Sequence, residues 1–401
     1  MIAPMGDAET VMERCDLLAR CSEEPGRLTR RFATPALSEA RDLVEGWMRD
    51  AGMATRRDPL GNLIGRLEGG GGRALALGSH IDTVPDAGRY DGPLGVLVGI
   101  ACAERLRDAR LPFALEVVAF ADEEGARFRT AFLGSAVTAG RFGPEWLSRA
   151  DDDGVTLADA IRAWGGDPDA LAAGRRDDLL GYLEVHIEQG PVLDRLGIPL
   201  AIVTGIAGRT LASVVFEGSA GHAGTTPMDG RRDALAAAAE WIVDVEADAR
   251  RRDGLVATVG ELDTRPGAAN VIAGRAVASL DVRHADDGAR EAAVAALRER
   301  AAAAGAARGV EVTWEERQAT SAVPCSPELT ERLAAAAGAD APRLASGAGH
   351  DAAMIAAVAP VAMLFVRCRA GVSHHPDESV RTEDVAAAID AATRFVERFE
   401  P

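Results

Sequence analysis

Short apolar segments alternate with helix-like segments in the first third of the chain, and this alternation constrains the fold more than any other feature. The strand-like segments are Asn62–Leu67, Ala74–Gly78 and Leu115–Phe120. A stretch with apolar residues at helical spacing, Ser38–Ala51, precedes them, and a second one, Leu94–Arg107, separates the last two. Strands that alternate with helices form mostly parallel sheets covered on both faces. The sequence therefore predicts an α/β fold here.

The pattern changes past the middle of the chain. The successive segments there are strand Thr210–Phe216, helix Asp233–Ala249, strands Val256–Leu262 and Ala276–Arg283, helix Ala289–Ala302 and strand Val310–Glu315. This β-α-β-β-α-β order is typical of a ferredoxin-like α+β domain. A further buried strand, Val361–Cys368, follows it. We therefore expect a discontinuous α/β domain over residues 1–208 and 324–401, interrupted by an inserted ferredoxin-like α+β domain over residues 209–323.

Charge and hydropathy argue against several classes of partner. Lys and Arg number 44 against 62 Asp and Glu, a net charge of −18, which disfavours binding to nucleic acid or to an anionic membrane surface. No run approaches the ~18 consecutive apolar residues of a membrane span. The segment Met1–Leu18 lacks the basic start and unbroken apolar run of a secretory signal. We expect a cytoplasmic protein.

The cysteines restrict what could bind a metal. They are five in number, scattered and without a C-x-x-C pair, namely Cys15, Cys21, Cys102, Cys325 and Cys368. This pattern argues against a disulfide framework and against a thiolate zinc site. Any metal in this protein is therefore expected to be held by His, Asp and Glu.

Clusters of His, Asp and Glu follow or lie within several strand-like segments. They are His80 with Asp82, Asp91, the run Asp122-Glu123-Glu124, the set Glu184, His186 and Glu188, and the pair His374 and His375. Each has an ordinary alternative, such as a helix-capping aspartate or a solvated acidic loop. Adjacent carboxylates directly after a buried strand, however, need cations to offset their repulsion. Because ligands gather at the carboxyl ends of parallel strands, the clusters together predict a site for Zn²⁺ or Mn²⁺.

Seven segments carry a resemblance to a known family. They are GSHIDTVPDAGRYDGPLG, DEEGARF, HIEQGPVL, GHAGTTPM, RPGAANVI, SGAGHDA and GVSHHPDE. In order and spacing they resemble the dinuclear metallopeptidase and aminoacylase superfamily, specifically its ureidohydrolase and carbamoylase branch, from about Ser38 to near the C-terminus. The resemblance implies an amidohydrolase with two divalent metal ions per subunit, zinc or manganese. Its substrate would be a small ureido carboxylate, from which it removes the carbamoyl group.

The resemblance also implies roles for the residues of these segments. The implied metal ligands are His80 and His186 for one ion, Glu124 and His374 for the other, and Asp91 bridging the two. Glu123 resembles the family's general base, and Asp82 resembles the carboxylate that orients His80.

The inserted domain resembles the family's lid and dimerisation domain, which implies a homodimer. Its substrate residues would be His222, Asn270 and Arg283, and in the family the histidine and asparagine can act in the partner subunit's site. Ordinary alternatives are a surface histidine, a turn asparagine and an arginine paired with Asp281. Elsewhere in the chain, the residues that match positions near the substrate are Gln189, Gly349 and His350.

The identity of the substrate depends on two segments. Leu344–Glu378 looks most like allantoate amidohydrolases, whereas Val203–Gly208 resembles allantoate enzymes and L-carbamoylases alike. The family usually continues the second segment with Gln or Pro, but this chain has Arg209, which could recognise a second carboxylate. The first expectation is allantoate, converted to ureidoglycine, ammonia and carbon dioxide in purine catabolism.

Two alternatives to an allantoate enzyme stay open. The first is an N-carbamoyl-L-amino acid hydrolase or a β-ureidopropionase-like enzyme. The second lies outside the enzymes: a catalytically inactive binding protein of the same fold. The presence of Glu123 together with all the implied metal ligands disfavours this second alternative.

Overall fold

The computed structural model of the protein describes residues 6–401 and divides into two compact units. The first unit contains the chain up to Thr204 together with Cys325–Leu344 and Ala348–Pro401. The second unit contains Gly205–Pro324 and the short segment Ala345–Gly347. The chain therefore leaves and re-enters the first unit, as expected for an inserted domain.

Helices and strands alternate along the chain. The helices are α1 (Asp7–Leu18), α2 (Pro35–Asp50), α3 (Pro93–Arg105), α4 (Leu133–Thr138), α5 (Leu157–Trp164), α6 (Val192–Leu196), α7 (Ala234–Ala249), α8 (Asp287–Ala307), α9 (Pro327–Ala337), α10 (Asp351–Ile355) and α11 (Thr382–Glu397). The strands are β1 (Ala54–Arg57), β2 (Leu63–Leu67), β3 (Ala74–His80), β4 (Ala114–Phe120), β5 (Leu179–Ile187), β6 (Leu200–Ile206), β7 (Gly208–Glu217), β8 (Gly221–His222), β9 (Val256–Thr258), β10 (Leu262–Arg265), β11 (Val271–Ile272), β12 (Arg275–His284), β13 (Glu311–Thr320), β14 (Val323–Pro324), β15 (Arg343–Ser346) and β16 (Val361–Val366). Among the helices of residues 6–401, none has the length and apolar character needed to cross a membrane.

The first unit is built on a sheet with the strand order β1-β2-β4-β3-β5-β16-β6. The strands β4, β3, β5 and β16 pair in parallel, and the outer pairs are antiparallel. Every residue of β3, β4 and β16 is buried, as expected for parallel strands covered on both faces. The prediction of a mostly parallel sheet is confirmed. The parallel pairing brings the carboxyl ends of these four strands side by side.

Local sequence signals explain where the first helices of this unit begin and end. The Thr34 side chain accepts a hydrogen bond from the Leu37 amide, and Pro35 occupies the first turn of α2. Gly52, which follows α2, has a φ of 85°, a conformation that favours glycine and ends a helix. Helix α3 is apolar around most of its circumference, and it packs against β3, β4 and β5 as well as α1 and α11.

The second unit has a sheet of order β10-β12-β7-β13, with β9 also paired to β12. Helices α7 and α8 pack on one face of this sheet. On β12 the buried residues that face the helices alternate with half-buried ones, so Leu280 and Val282 are buried while Asp281 and Arg283 lie on the opposite face. The indole of Trp241 in α7 is fully buried and donates to the Leu297 carbonyl at 2.9 Å. The predicted α+β pattern is confirmed.

Two details of the second unit differ from the sequence prediction. The predicted strand Val256–Leu262 is divided into β9 and β10, because the amides of Gly260 and Glu261 donate to the Ser279 hydroxyl instead of continuing a ladder. In addition, β8 and β11 form a separate two-stranded ribbon. The ribbon strands have two residues each, too few for an alternating hydrophobic pattern to indicate them.

Candidate active site

Titratable side chains converge at the carboxyl ends of the four parallel strands. His80 is the last residue of β3, and His186 is the penultimate residue of β5. Glu124 follows β4, and His374 follows β16. Asp91 comes from the loop before α3. The fold therefore brings together residues that are nearly 300 positions apart in the sequence.

Asp91 lies at the centre of this arrangement. Its Oδ1 is 3.1 Å from His186 Nε2 and 3.6 Å from His80 Nε2. Its Oδ2 is 3.2 Å from His374 Nε2, which is itself 3.3 Å from Glu124 Oε1. One carboxylate oxygen thus faces two histidines, and the other faces a histidine–glutamate pair.

The donors fall into two groups that share Asp91. In each group, His80 with Asp91 and His186, and Asp91 with Glu124 and His374, one potential ligand atom per residue lies within 4.8 Å of the others. Nitrogen and oxygen donors of this kind suit Zn²⁺ or Mn²⁺. Buried charges need compensation, and two groups around one carboxylate fit two cations. The residues present therefore fit a dinuclear centre.

Asp82 connects the ends of β3 and β4. Its Oδ1 is 3.4 Å from His80 Nδ1, and its two oxygens accept hydrogen bonds from the amides of Glu123 at 3.0 Å and Glu124 at 3.2 Å. His186 Nδ1 is similarly 3.0 Å from the Ile187 carbonyl. In both histidines, Nδ1 therefore contacts an oxygen atom of the protein and Nε2 faces Asp91. Metal-binding histidines are commonly oriented in this way.

Glu378 holds the loop that carries Asp91. Its Oε1 accepts hydrogen bonds from the amides of Tyr90 at 2.8 Å and Asp91 at 3.1 Å. Two glycines make room for this packing. A Cβ on Gly88 would lie 2.3 Å from the Glu378 carboxyl carbon, and a Cβ on Gly92, whose φ is +82°, would lie 2.4 Å from the His80 ring. No other residue fits at either position without movement of the neighbouring side chain.

The side chains of Gln189 and His374 lie beside Asp91, and both residues have a strained backbone conformation. Their φ angles are 55° and 56°, in the left-handed region that few residues other than glycine occupy. Gln189 Nε2 donates to Asp91 Oδ2 at 2.8 Å, and the Ser373 hydroxyl donates to the same oxygen at 2.7 Å. Ser373 is not among the predicted site residues, and its position beside His374 is the only signal in the sequence that could have indicated it.

Burial and the surrounding charges shift two pKa values in opposite directions. Burial of Glu123, together with the nearby carboxylates of Glu124, Asp351 and Asp82, raises the pKa of Glu123 well above its ordinary value despite the opposing effect of His80. Burial also acts to raise the pKa of Asp91, but its hydrogen bonds with the three histidines outweigh burial and hold that pKa well below the ordinary range. The two carboxylates thus differ in proton affinity, as required of groups with different functions.

The three polar residues predicted to share one strand face differ in their contacts, and Glu188 lies just after the end of β5. Glu184 accepts hydrogen bonds from the Ser79 hydroxyl at 3.2 Å and the Ala352 amide at 2.7 Å. Glu188 accepts from the amides of Val192 and Leu193, at the start of α6. Of the three, only His186 belongs to one of the two donor groups around Asp91.

Gly349 and His350 lie just before α10 in the first unit. The His350 ring is buried, and its centroid is 4.5 Å from that of His186. Burial, followed by the nearby charge of His186, lowers the pKa of His350 well below its ordinary value, so the ring is neutral. Gly349 is exposed, but a Cβ there would come within 2.6 Å of the Phe132 ring.

The remaining predicted substrate residues belong to the second unit. His222 in β8 is exposed, and the neighbouring Ala223 amide donates to the Asn270 carbonyl at 2.9 Å, so His222 and Asn270 lie in the same ribbon. Arg209 and Arg283 both donate to Asp281. Two nitrogens of Arg209 donate to the Asp281 carboxylate, and a contact between Arg209 and the substrate stays a prediction.

Comparison with known proteins identifies relatives along almost the whole chain. The model of peptidase family M20/M25/M40 matches residues 76–398. A probable allantoate deiminase of Oryza sativa subsp. japonica is 42% identical, over 97% of this chain and 88% of that enzyme. An N-carbamoyl-L-amino acid amidohydrolase of Geobacillus stearothermophilus is 41% identical, over 96% of this chain and 97% of that enzyme.

A solved structure agrees with these matches. It is an amidase of the hydantoinase/carbamoylase family from Burkholderia multivorans, with a TM-score of 0.90, 33% identity and coverage of 97% of both chains. The resemblance inferred from the seven sequence segments is thereby confirmed. The chain belongs to peptidase family M20/M25/M40.

Proposed function

We propose that the protein hydrolyses a ureido C–N bond of a small carboxylate, with allantoate as the substrate and ureidoglycine, ammonia and carbon dioxide as the products. The observation that carries this proposal is the pair of donor groups that share Asp91, with Glu123 beside them. The relatives named allantoate deiminase and N-carbamoyl-L-amino acid amidohydrolase support this reaction class.

The metal centre is the first element of the proposal. His80 and His186 would hold one divalent ion, Glu124 and His374 the other, and Asp91 would bridge them, with zinc or manganese as the metal. When bound, two such ions polarise a carbonyl group and lower the pKa of a water molecule. Asp82 would keep His80 in the ring orientation that the site needs.

Glu123 would be the general base. It would accept a proton from the attacking water and return it to the leaving nitrogen, a role typically worth about 10²–10⁴-fold in rate. Its carboxyl group lies within 4.8 Å of ligand atoms of His80 and Glu124, but it belongs to neither group around Asp91. Nearby cations would lower its raised pKa towards the working pH of the enzyme.

Recognition of the substrate would involve residues of both units. Gln189, Gly349 and His350 would contact the ureido group from the first unit. From the second unit, His222 would donate to the developing oxyanion, Asn270 would support it, and Arg283 would bind the carboxylate. We also propose that residues 209–323 form a lid and dimerisation domain, that residues 1–208 and 324–401 form the catalytic domain, and that His222 acts in the partner subunit of a homodimer.

The second candidate substrate class is the N-carbamoyl-L-amino acids. The 41% identity to an enzyme named for that activity is nearly equal to the 42% identity to the deiminase, so overall similarity does not separate the two. The choice of allantoate is based on the segment Leu344–Glu378. The cytoplasmic location stays a prediction from the sequence.

An ammonia-release screen tests the proposal. Protein loaded with Mn²⁺ or Zn²⁺ is offered allantoate, a series of N-carbamoyl-L-amino acids and N-carbamoyl-β-alanine. We expect the highest kcat/KM with allantoate. A higher value with an N-carbamoyl-L-amino acid would reassign the substrate, and no ammonia from any of these compounds would contradict the proposed activity.

A further inference from the structure

Two arginines and one aspartate form a compact trio on the face of the second unit's sheet that α7 and α8 do not cover. Arg209 in β7 and Arg283 in β12 are directly opposite each other in the antiparallel ladder. Asp281 Oδ2 accepts hydrogen bonds from Arg209 Nη2 and Arg283 Nη2, both at 2.8 Å. Arg209 Nε also donates to that oxygen, at 3.0 Å. A single carboxylate is thus shared by two guanidinium groups.

The contacts of Arg283 limit how it can bind a ligand. Its Nε and Nη2 form a bidentate pair with Asp281 at 3.0 and 2.8 Å. Its Nη1 donates to the Gly347 carbonyl at 2.7 Å. A guanidinium has five N–H donors, and these contacts use three of them. One N–H on Nη1 and one on Nη2 are left for a ligand.

The charge of the trio depends on Arg209. Arg283 and Asp281 alone would form a neutral pair, with little attraction for a second carboxylate. Arg209 brings the sum to +1. Burial acts to raise the pKa of Asp281, but its hydrogen bonds to Arg283 and Arg209 outweigh burial and lower that pKa, so the aspartate is ionised and the sum holds at neutral pH.

We propose that Arg209 is a positioning residue that keeps the net charge of the trio positive towards the substrate carboxylate, while Asp281 fixes the plane of the Arg283 guanidinium. This inference rests on the proposed function, because it takes Arg283 as the carboxylate-binding residue. Arg209 acts through Asp281 and touches no substrate atom. In a chain with Gln or Pro at this position, the carboxylate of Asp281 would be balanced by Arg283 alone.

The test compares a carboxylate ligand with its neutral amide. Binding of N-carbamoylglycine, N-carbamoylglycinamide and N-carbamoyl-aspartate is measured by titration calorimetry, and KM and kcat are measured for the best ureido substrate. The variants are Arg209→Gln and the charge-conserving Arg209→Lys. The control is Arg275→Gln, which removes a guanidinium paired with Glu217 at 2.7 Å across the same two strands.

Arg209→Gln should weaken N-carbamoylglycine binding and raise KM by about fivefold, the scale of one partly exposed charge interaction. Its kcat and its affinity for the amide should not change. Arg209→Lys should restore most of the carboxylate affinity, and Arg275→Gln should resemble the wild type.

Three results would overturn the inference: an unchanged preference for the carboxylate in Arg209→Gln, an equal loss in Arg275→Gln, or a loss confined to N-carbamoyl-aspartate. The last result would instead indicate a direct contact between Arg209 and a second carboxylate. A protein whose carboxylate preference depends on Arg209 but which releases no ammonia would support this inference and contradict the proposed function.

Discussion

The two units hold their polar groups in contrasting ways. In the first unit, His80 and His186 are buried, and each has one ring nitrogen held from behind by Asp82 or by a backbone carbonyl. In the second unit, His222 is exposed and its imidazole accepts a hydrogen bond from the Gly224 amide. A buried side chain with several hydrogen-bond partners keeps its orientation without a ligand. An exposed side chain such as His222 is free to reorient when a ligand or a partner binds.

The comparison predicts the largest effect for removal of metal. In the proposed centre, two cations balance the donors around Asp91, so exhaustive chelation should abolish activity. Elemental analysis after reconstitution with Mn²⁺ or Zn²⁺ should approach two equivalents per chain, and His186→Ala should lower that number. Activity that persists in chelated, metal-free protein would contradict the dinuclear assignment.

Glu123→Gln should have the next largest effect. This change keeps the size of the side chain and removes its ability to accept a proton, so kcat should fall by about 10²–10⁴-fold. Metal content should stay at the wild-type value, since Glu123 belongs to neither donor group around Asp91. Near-normal turnover in Glu123→Gln would exclude Glu123 as the base.

His222→Ala should lower kcat by about 10²–10³-fold, the usual effect of losing one donor to an oxyanion. It should leave the melting temperature unchanged, because His222 is exposed. Mixing inactive His222→Ala and Glu123→Gln subunits should restore part of the activity if the histidine acts in the partner's site. Verified subunit exchange without recovered activity would show that each chain completes its own site.

Arg283→Ala should have a smaller effect, on KM rather than on kcat. The guanidinium is 31% exposed and shares Asp281 with Arg209, so its loss should raise KM by about ten- to a hundredfold, below the full cost of a buried pair. Neutral amide analogues should bind as they do to the wild type. An unchanged KM for carboxylates would remove Arg283 from the recognition site.

The sequence predicted the parts of the fold that a strong hydrophobic pattern specifies. Strand β16 is an uninterrupted apolar run, and β3 and β4 are mostly apolar. The order of helices and strands in the insert followed from periodicity. The division of Val256–Leu262 was missed because it depends on the Ser279 hydroxyl, a contact with a distant residue. Hydrogen bonds of this kind leave no local pattern in the sequence.

In the candidate site, too, the sequence predicted some features and not others. The residues that now surround Asp91 were found from their motifs and from the resemblance, since their chemistry is visible in the residue type. Two contacts could not be predicted from residue type. They are the hydrogen bond between Glu378 and the Asp91 loop and the sharing of Asp281 by two arginines. The same holds for Arg209: the arginine was visible in the sequence, but its partner Asp281 was not.

The hydrogen bonds from the Tyr90 and Asp91 amides to Glu378 also bear on how the protein is made. The partners are 288 and 287 positions apart in the chain, and β16 pairs between β5 and β6. During synthesis, which adds about 5–20 residues per second, the sheet lacks β16 and the Asp91 loop lacks its acceptor until residues 361–378 have left the ribosome. A chain that stops before residue 378 would therefore lack the carboxylate that holds the Asp91 loop in place.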